Sequence, residues 1–309
     1  MPSRTRVLIG FISALFFYSQ ALTIPKIVGL VRARNNATTI EQCLRALACY
    51  TDALVVLDNA SEDETVQIIK SLQTECAIER IVRKSFWYED DTTDYNRMLI
   101  AGREIGGTHF IVINPDELFT ANCQDNNLLK EKILSLQPGE SLTANVICLW
   151  ETTELYRIDD GYAPERIAFC DDTARYPSTS LDKLSTRIPE SLDHNKTVRL
   201  LPFHKYGLLS FAKVSWDNLV LKTIWKKCFD RVCDPTEPAS QINKKYKQLN
   251  DNSDVRLIKT PSYWFDNYSF FDNTLYTKRD TWHEDQIKQW VHLYGQDYFD
   301  GLGFVLVHE

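Results

Sequence analysis

The chain has 309 residues, of which 44% are hydrophobic, 12% aromatic and 25% charged. These proportions exclude a disordered protein and allow a large core, in one big domain or in a domain with an appendage. The net charge of -7 argues against nucleic acid as a partner, because neutralising phosphates needs a concentrated basic face. A solvated surface accounts for the short basic clusters, such as Lys226-Lys227.

The N-terminal segment differs from the rest of the chain. Arg4 and Arg6 precede an apolar run over residues 7–18, and Ser19-Gln20-Ala21 follows it. This order is typical of a signal peptide, here residues 1–21, although residues 7–24 could instead form a membrane anchor. Either segment predicts an exported or membrane-associated protein, with membrane association through the N-terminus. Without such a role the protein would be cytoplasmic.

From Lys26 onward, strand and helix patterns alternate, which predicts an α/β protein with a mostly parallel, Rossmann-like sheet and flanking helices. Residues 26–150 form this first half. Residues 152–200 are polar, rich in loops and hard to assign, and helices are expected at 208–232 and 280–294 with a break at Pro235-Thr236-Glu237-Pro238. Residues 151–309 are therefore a less regular, helical C-terminal region. The predicted strands of the first half are 27–31, 54–57, 78–82, 110–113 and 144–150.

Polar residues follow three of these strands: Arg34-Asn35, then residues 58–63, then Asn114-Pro115-Asp116-Glu117. In an open parallel sheet, ligands bind outside the carboxyl ends of the strands, so the three groups should face one crevice. Carboxylates in such a place can hold a divalent cation. Neither glycine-rich phosphate motif, G-x-G-x-x-G or G-x-x-x-x-G-K, is present, which disfavours ordinary dehydrogenases and kinases.

The segments 31–35, 57–65 and 113–117 resemble the nucleotide-binding part of family 2 type glycosyltransferases, which have the GT-A fold. The resemblance covers residues 26–120 and implies a GT-A-like sheet that binds a nucleotide-sugar donor. It places Asp58, Ser61 and Asp63 near the nucleoside, although Asp58 and Ser61 could simply cap a helix. A variant D-x-D motif falls on Asn114-Pro115-Asp116.

In that motif, Asp116 would bind the metal, and Asn114 stands where the family has a charge. The implied cofactor is Mn²⁺ or Mg²⁺, which neutralises the charge that develops on a diphosphate leaving group. Arg34 or Arg97 could supplement the cation, with Asn96 as a neighbouring donor. Asp116 could equally belong to a solvated turn, and the two arginines to surface salt bridges.

The second half should supply the acceptor site. An inverting transfer needs a carboxylate within hydrogen-bond reach of the acceptor hydroxyl, and the candidates are Asp171 and Asp172, which could otherwise form a plain acidic loop. His204 resembles the histidine that completes the metal shell in several relatives, but a lone histidine is more often structural.

Together these features predict a metal-dependent, inverting, hexosyltransferase-like glycosyltransferase that moves a sugar from a nucleotide-diphosphate donor to a glycan, lipid or protein acceptor. The main alternative is a degenerate GT-A domain that binds a glycan or nucleotide without catalysis, which Asn114 favours. A structural or interaction protein on the same scaffold is a third hypothesis.

Overall fold

The structure is a computed structural model that describes residues 24–88, 90–158, 163–173, 175–176, 187–189, 192, 196–202, 204–246, 255–279 and 281–304. The expected signal peptide or anchor at residues 1–21 lies outside these ranges. Within them, no helix has both the length and the apolar character needed to cross a membrane.

The described residues form one large sheet with helices packed against it. The strands are β1 Ile27–Ala33, β2 Ala53–Asp58, β3 Ile78–Arg83, β4 His109–Ile113, β5 Glu117–Phe119, β6 Ser141–Trp150, β7 Thr152–Arg157, β8 Ala163–Cys170, β9 Thr197–Arg199, β10 Leu208–Ser210 and β11 Leu257–Lys259. The α-helices are α1 Ile40–Ala48, α2 Thr65–Ser71, α3 Asp91–Glu104, α4 Leu128–Leu134, α5 Trp216–Cys233, α6 Ala239–Tyr246 and α7 Trp282–Tyr294.

The main path of the sheet runs β11-β7-β6-β8-β4-β1-β2-β3. Strands β3, β2, β1 and β4 are parallel to one another, and β8 is antiparallel to both β4 and β6. The predicted α/β class is confirmed, and the four parallel strands match the sequence prediction to within two residues at either end. The carboxyl ends of β1, β2 and β4 therefore meet at one edge.

Strands β1, β2 and β4 are buried on both faces because helices cover each side. On one face, Leu30, Val55 and Phe110 pack with Met98 and Leu99 of α3. On the other face, alternate residues of the same strands pack against α1. Each such side chain contributes about 1.5–3 kcal/mol through the apolar area it buries, so this double layer fixes the strand ends rigidly.

The second half of the chain differs from the sequence prediction. Residues 152–200, which were hard to assign, contain β7, β8 and β9, and the helix expected from residue 208 begins only at Trp216, after the short strand β10. These strands pair with distant partners: β8 with β4 and β6, and β10 with β5 and β6. Local sequence patterns carry no information about partners so far away.

Helices α5, α6 and α7 build a second, smaller core around Trp225, Ile242 and Ile287. The predicted break between helical pieces is confirmed, because α5 ends at Cys233 and α6 begins at Ala239. Trp87, which lies between β3 and α3, packs against Trp225 with ring centroids 5.9 Å apart. This contact holds the helical region against the edge where the parallel strands end.

A buried pair of tyrosines ties the C-terminal part to the sheet. The hydroxyls of Tyr50 and Tyr268 are 2.8 Å apart, and the Tyr268 hydroxyl donates a hydrogen bond to the carbonyl oxygen of Phe119 at 2.9 Å. Burial raises the pKa values of both tyrosines, so both hydroxyls stay protonated and able to donate.

We expect Tyr268→Phe to lower the free energy of unfolding by about 1–2 kcal/mol, because it removes the buried donor that satisfies the Phe119 carbonyl. Urea unfolding measures this change. Tyr263→Phe is the matched control, since Tyr263 is 41% exposed and should change stability by less than about 0.5 kcal/mol. Equal stability of the two variants would contradict the assigned role of Tyr268.

Candidate functional site

A cleft of about 550 Å³ opens where β1 and β4 end, between the sheet and helices α5 and α7. It forms there because parallel strands end together and the connecting loops diverge from the edge. The structure brings together in it four of the residues selected from the sequence and adds two lysines of α5. These six residues are Arg34, Asn35, Asn114, Asp116, Lys222 and Lys226.

Hydrogen bonds that involve side chains connect the loops after β1 and β2. Asn35 has a left-handed backbone with φ of 50° and is 7% exposed. Its N–H donates to Ser61 Oγ at 3.0 Å, and its Oδ1 accepts from the N–H of Glu62 at 2.8 Å. Asp63 Oδ2 accepts from the N–H of Ala37 at 3.1 Å. Ser61 and Asp63 therefore fix the shape of the loop that carries Arg34 and Asn35.

Asp58 is fully buried at the end of β2. Its Oδ1 accepts from the N–H of Ser61 at 3.1 Å, and its Oδ2 accepts from Arg83 Nε at 3.4 Å. Ser61 does not cap α2, because that helix begins four residues later at Thr65. Both residues organise the loop, and Asp58 does not line the cleft.

Arg34 lies in the wall of the cleft, between the indole rings of Trp87 and Trp282. Its guanidinium carbon lies 4.4 Å from the centroid of Trp87 and 5.5 Å from that of Trp282, and Nη1 donates to the Asn59 carbonyl oxygen at 3.3 Å. Burial lowers the pKa of Arg34, but this side chain remains charged at any physiological pH. Arg34 is thus a fixed positive charge, held by aromatic faces and with Nε unpartnered among the described residues.

Asn114 is held by the carboxylate of Glu117, which is 2% exposed. The N–H of Asn114 donates to Glu117 Oε2 at 2.7 Å, and Nδ2 donates to Oε1 at 3.2 Å. Arg187 also donates to both oxygens, with Nη2 at 2.7 Å from Oε1, and pairs with Glu165. Burial raises the pKa of Glu117, and Arg187 opposes that rise. Asn114 therefore serves as a donor to a buried carboxylate.

Asp116 is half-buried and lines the cleft. Its carbonyl oxygen accepts from the N–H of Phe211 at 3.0 Å, which fixes the backbone after β4 against the end of β10. Among the described residues, nothing forms a hydrogen bond or ion pair with its carboxylate. Asp116 thus presents an uncompensated negative charge to whatever enters the cleft.

One face of α5 forms the opposite wall. Ser215 caps this helix by accepting the N–H of Asn218 at 3.3 Å, and Ser215, Asn218, Lys222 and Lys226 all line the cleft. The sequence interpretation missed this face, since it treated Lys226-Lys227 as a solvated surface. The four-residue spacing of Asn218, Lys222 and Lys226 was the signal that could have revealed it.

Three other predicted residues lie outside the cleft. Asn96 accepts from the backbone N–H of Tyr176 at 3.0 Å and donates to its carbonyl oxygen at 3.1 Å, so it has a structural role. Arg97 is exposed on α3. His204 is exposed in the turn before β10, at the opposite end of that strand from Ser210, which does line the cleft.

Asp171 and Asp172 are also misplaced for catalysis here. Because β8 runs antiparallel to β4, the residues after β8 lie at the amino end of β4, where the N–H of Asp171 donates to the Thr108 carbonyl oxygen at 2.9 Å. Arg103 binds the Asp171 carboxylate through two hydrogen bonds, at 2.8 and 2.6 Å. The five residues of β4 separate this edge from the cleft by about 16 Å, so the prediction that either aspartate is the base is corrected.

Few of the described side chains could bind a metal ion in the cleft. Within the described ranges, no three His, Cys, Asp or Glu side chains are grouped as metal ligands would be. Among the described residues that line the cleft, Asp116 alone offers an unpaired carboxylate, because Glu117 is bound by Arg187 and Asn114, and Asp91 by Arg32. A cation there would depend on the phosphates of a bound nucleotide and on water for most of its shell.

No protein-family model matches the sequence. No curated protein matches it either.

Several solved structures share part of the fold. TarS 1-349 from S. aureus, in complex with UDP, is 11% identical over 72% of this chain and 70% of that chain, with a TM-score of 0.38. The mannosyltransferase PcManGT from Pyrobaculum calidifontis, in complex with GDP-Man and Mn²⁺, is 22% identical over 41% of this chain, with a TM-score of 0.31. This match spans only 36% of PcManGT, and another match to TarS 1-349 spans 35% of that chain.

We expect Asn114→Asp to destabilise the protein by about 1–3 kcal/mol at pH 7, because it replaces a donor to Glu117 with a second carboxylate in contact with the buried one. The two carboxylates repel only when both are ionised, which raises their folded-state pKa values. The loss should therefore be absent below a pH of about 4, the unfolded value, and should grow as the pH rises.

Thermal unfolding of Asn114→Asp and of Asn114→Ala across this pH range measures the effect. Asn114→Ala loses the same amide without adding a charge, so its deficit should vary little with pH. A pH-independent deficit in Asn114→Asp would contradict the contact with Glu117.

Proposed function

We propose that this protein is a glycosyltransferase that binds a nucleotide-sugar donor in the cleft and transfers the sugar to a hydroxyl of a glycan, lipid or protein acceptor. The observation that carries this proposal is the charge of the cleft. Among the described residues that line it, four cationic side chains face three carboxylates, in a chain with a net charge of -7. A local positive excess in an acidic protein supports an anionic ligand such as a nucleoside diphosphate. The sequence resemblance at residues 26–120 supports the same ligand.

The residues of the cleft would have different roles in binding the donor. Trp87 and the loop after β1 offer an aromatic face and amide groups to the nucleoside. Asp58 and Asp63, expected from the sequence to touch the nucleoside, are positioning residues for that loop instead. Arg34 lies where it can donate to a phosphate, and it stabilises the charge that develops on the leaving diphosphate.

A divalent cation, if it participates, has Asp116 as its charged protein ligand. Bound to the donor phosphates it would neutralise part of the leaving-group charge. The half-buried and unpaired carboxylate of Asp116 fits this role, and the location of Asp116 next to the end of β4 supports it.

For an inverting transfer, the proton acceptor is assigned to Asp91 at the start of α3. Asp91 is the remaining carboxylate among the described residues that line the cleft, once Asp116 and the Arg187-bound Glu117 are set aside. Its side chain is 17% exposed and pairs with Arg32. The pair with Arg32 would hold the carboxylate in place, and an acceptor hydroxyl bound in the cleft would have to come within hydrogen-bond reach of it.

The alternative is a domain that binds a nucleotide or glycan without turnover. The contact of Asn114 with Glu117 favours it, because this amide is held in a structural role where the related enzymes are expected to have a metal-binding acid. Turnover separates the two hypotheses, since only the enzyme would hydrolyse or transfer the sugar of a bound donor.

We expect calorimetric titration to show binding of UDP or GDP, strengthened by Mn²⁺. Asp116→Ala should abolish most of the Mn²⁺ enhancement, because it removes the charged ligand, and should leave cation-free binding within about twofold. A mutant that responds to Mn²⁺ as the wild type does would remove Asp116 from the metal role. Failure of the wild type to bind any nucleoside diphosphate would refute the proposed function.

Asp91→Asn should reduce sugar transfer, or donor hydrolysis if no acceptor is known, by about 100-fold or more while nucleotide binding is retained. Arg32 keeps a partner in this variant, since Asp94 lies 3.6 Å away. The matched control is Glu104→Gln, which removes an exposed carboxylate from the other end of the same helix. Equal activity of both variants would show that Asp91 is not the base.

A further inference from the structure

Helix α5 contributes positive charge to the cleft along one of its faces. Its N-terminal turn contributes Ser215 and Asn218, and Lys222 and Lys226 follow at intervals of one helical turn. Unpaired N–H groups at a helix N-terminus carry partial positive charge, and the two lysines extend that charge along the same face. Trp225 and Cys228 are buried, which anchors the helix and sets the direction of this face.

The charges in the cleft are unequally compensated. Arg32 is paired with Asp91, and Glu117 is paired with Arg187 from outside the cleft. Besides these pairs, the cations Arg34 and Lys222 face the carboxylate of Asp116 among the described residues that line the cleft. The positive excess of the cleft therefore lies on α5 and on Arg34.

A second observation points to the same ligand. Four residues that line the cleft carry a buried hydrogen-bond donor with no partner among the described residues: Arg34 Nε, the Thr39 hydroxyl, the Tyr276 hydroxyl and Trp282 Nε1. Tyr276 is 5% exposed, and its ring stacks on Phe211 with centroids 3.9 Å apart, so its hydroxyl is fixed in place. Buried donors without partners are costly, and a ligand rich in acceptor oxygens would satisfy them. The unpartnered Asn59 Oδ1 is an acceptor that suits a ligand N–H or O–H.

We propose that Lys222, together with Lys226, binds the diphosphate of the nucleotide and supplies positive charge there independently of any cation that Asp116 holds. This inference rests on the proposed function and extends it. The diphosphate would lie between α5 and Arg34, with its oxygens accepting from the lysines and the unpartnered donors. Binding of the nucleoside diphosphate would then not require a divalent cation, and a cation held by Asp116 would only strengthen it.

The test uses the full chain in EDTA, titrated calorimetrically with UDP and GDP and with the matching nucleosides, uridine and guanosine. We expect the wild type to bind a nucleoside diphosphate without metal. Lys222→Met should weaken that binding by about tenfold to a hundredfold, as expected for loss of a charged hydrogen bond, and should leave nucleoside binding unchanged. Lys226→Met should act in the same direction, and Lys222→Arg should restore much of the affinity.

Lys244→Met is the control, because Lys244 is exposed on α6 and does not line the cleft. Thermal unfolding of each variant separates loss of the contact from loss of the fold. Binding that appears only with Mn²⁺ and is unaffected by Lys222→Met would overturn this inference and leave the proposed function standing. Absence of nucleotide binding with or without Mn²⁺ would refute both.

Discussion

The buried carboxylate of Glu117 is the contact on which the candidate site depends. It lies at the junction of β4 and β5, and it accepts hydrogen bonds from Asn114 on one side and from Arg187 on the other. Because a carboxylate at 2% exposure is stable only when such donors surround it, the three groups fix one another. The backbone after β4 is thereby held in the conformation that presents Asp116 to the cleft.

This arrangement gives Asn114 of the variant motif a different role from the one expected from the sequence. From the sequence, Asn114 is a substitution at a metal-binding position. In the structure it is the donor that a neighbouring buried acid requires, and an aspartate there would place two carboxylates in contact. The positive charge of the cleft lies elsewhere, on α5 and on Arg34.

The first half of the fold could be predicted from the sequence because its determinants are local. Apolar runs such as residues 53–57 define buried strands, and the parallel topology places their ends at one edge, which brings Arg34, Asn35, Asn114 and Asp116 together. The roles of Asp58, Ser61 and Asp63 were harder to predict, because a polar residue after a strand can bind a ligand or fasten a loop. The contact of Asp58 with Arg83, and the contacts of Ser61 and Asp63 with the loop after β1, identify them as residues that hold the loop.

The errors in the second half have a common physical cause. Asp171 was placed at the site because it is acidic, but the antiparallel pairing of β8 with β4 carries it to the other edge. Lys222 was overlooked because its importance comes from the packing of α5 over strands distant in the sequence. A crystal structure of the protein soaked with UDP or GDP in EDTA tests the proposed site most directly. We expect phosphate oxygens within hydrogen-bond distance of Lys222 and Arg34, and a nucleotide bound away from the cleft would contradict this arrangement.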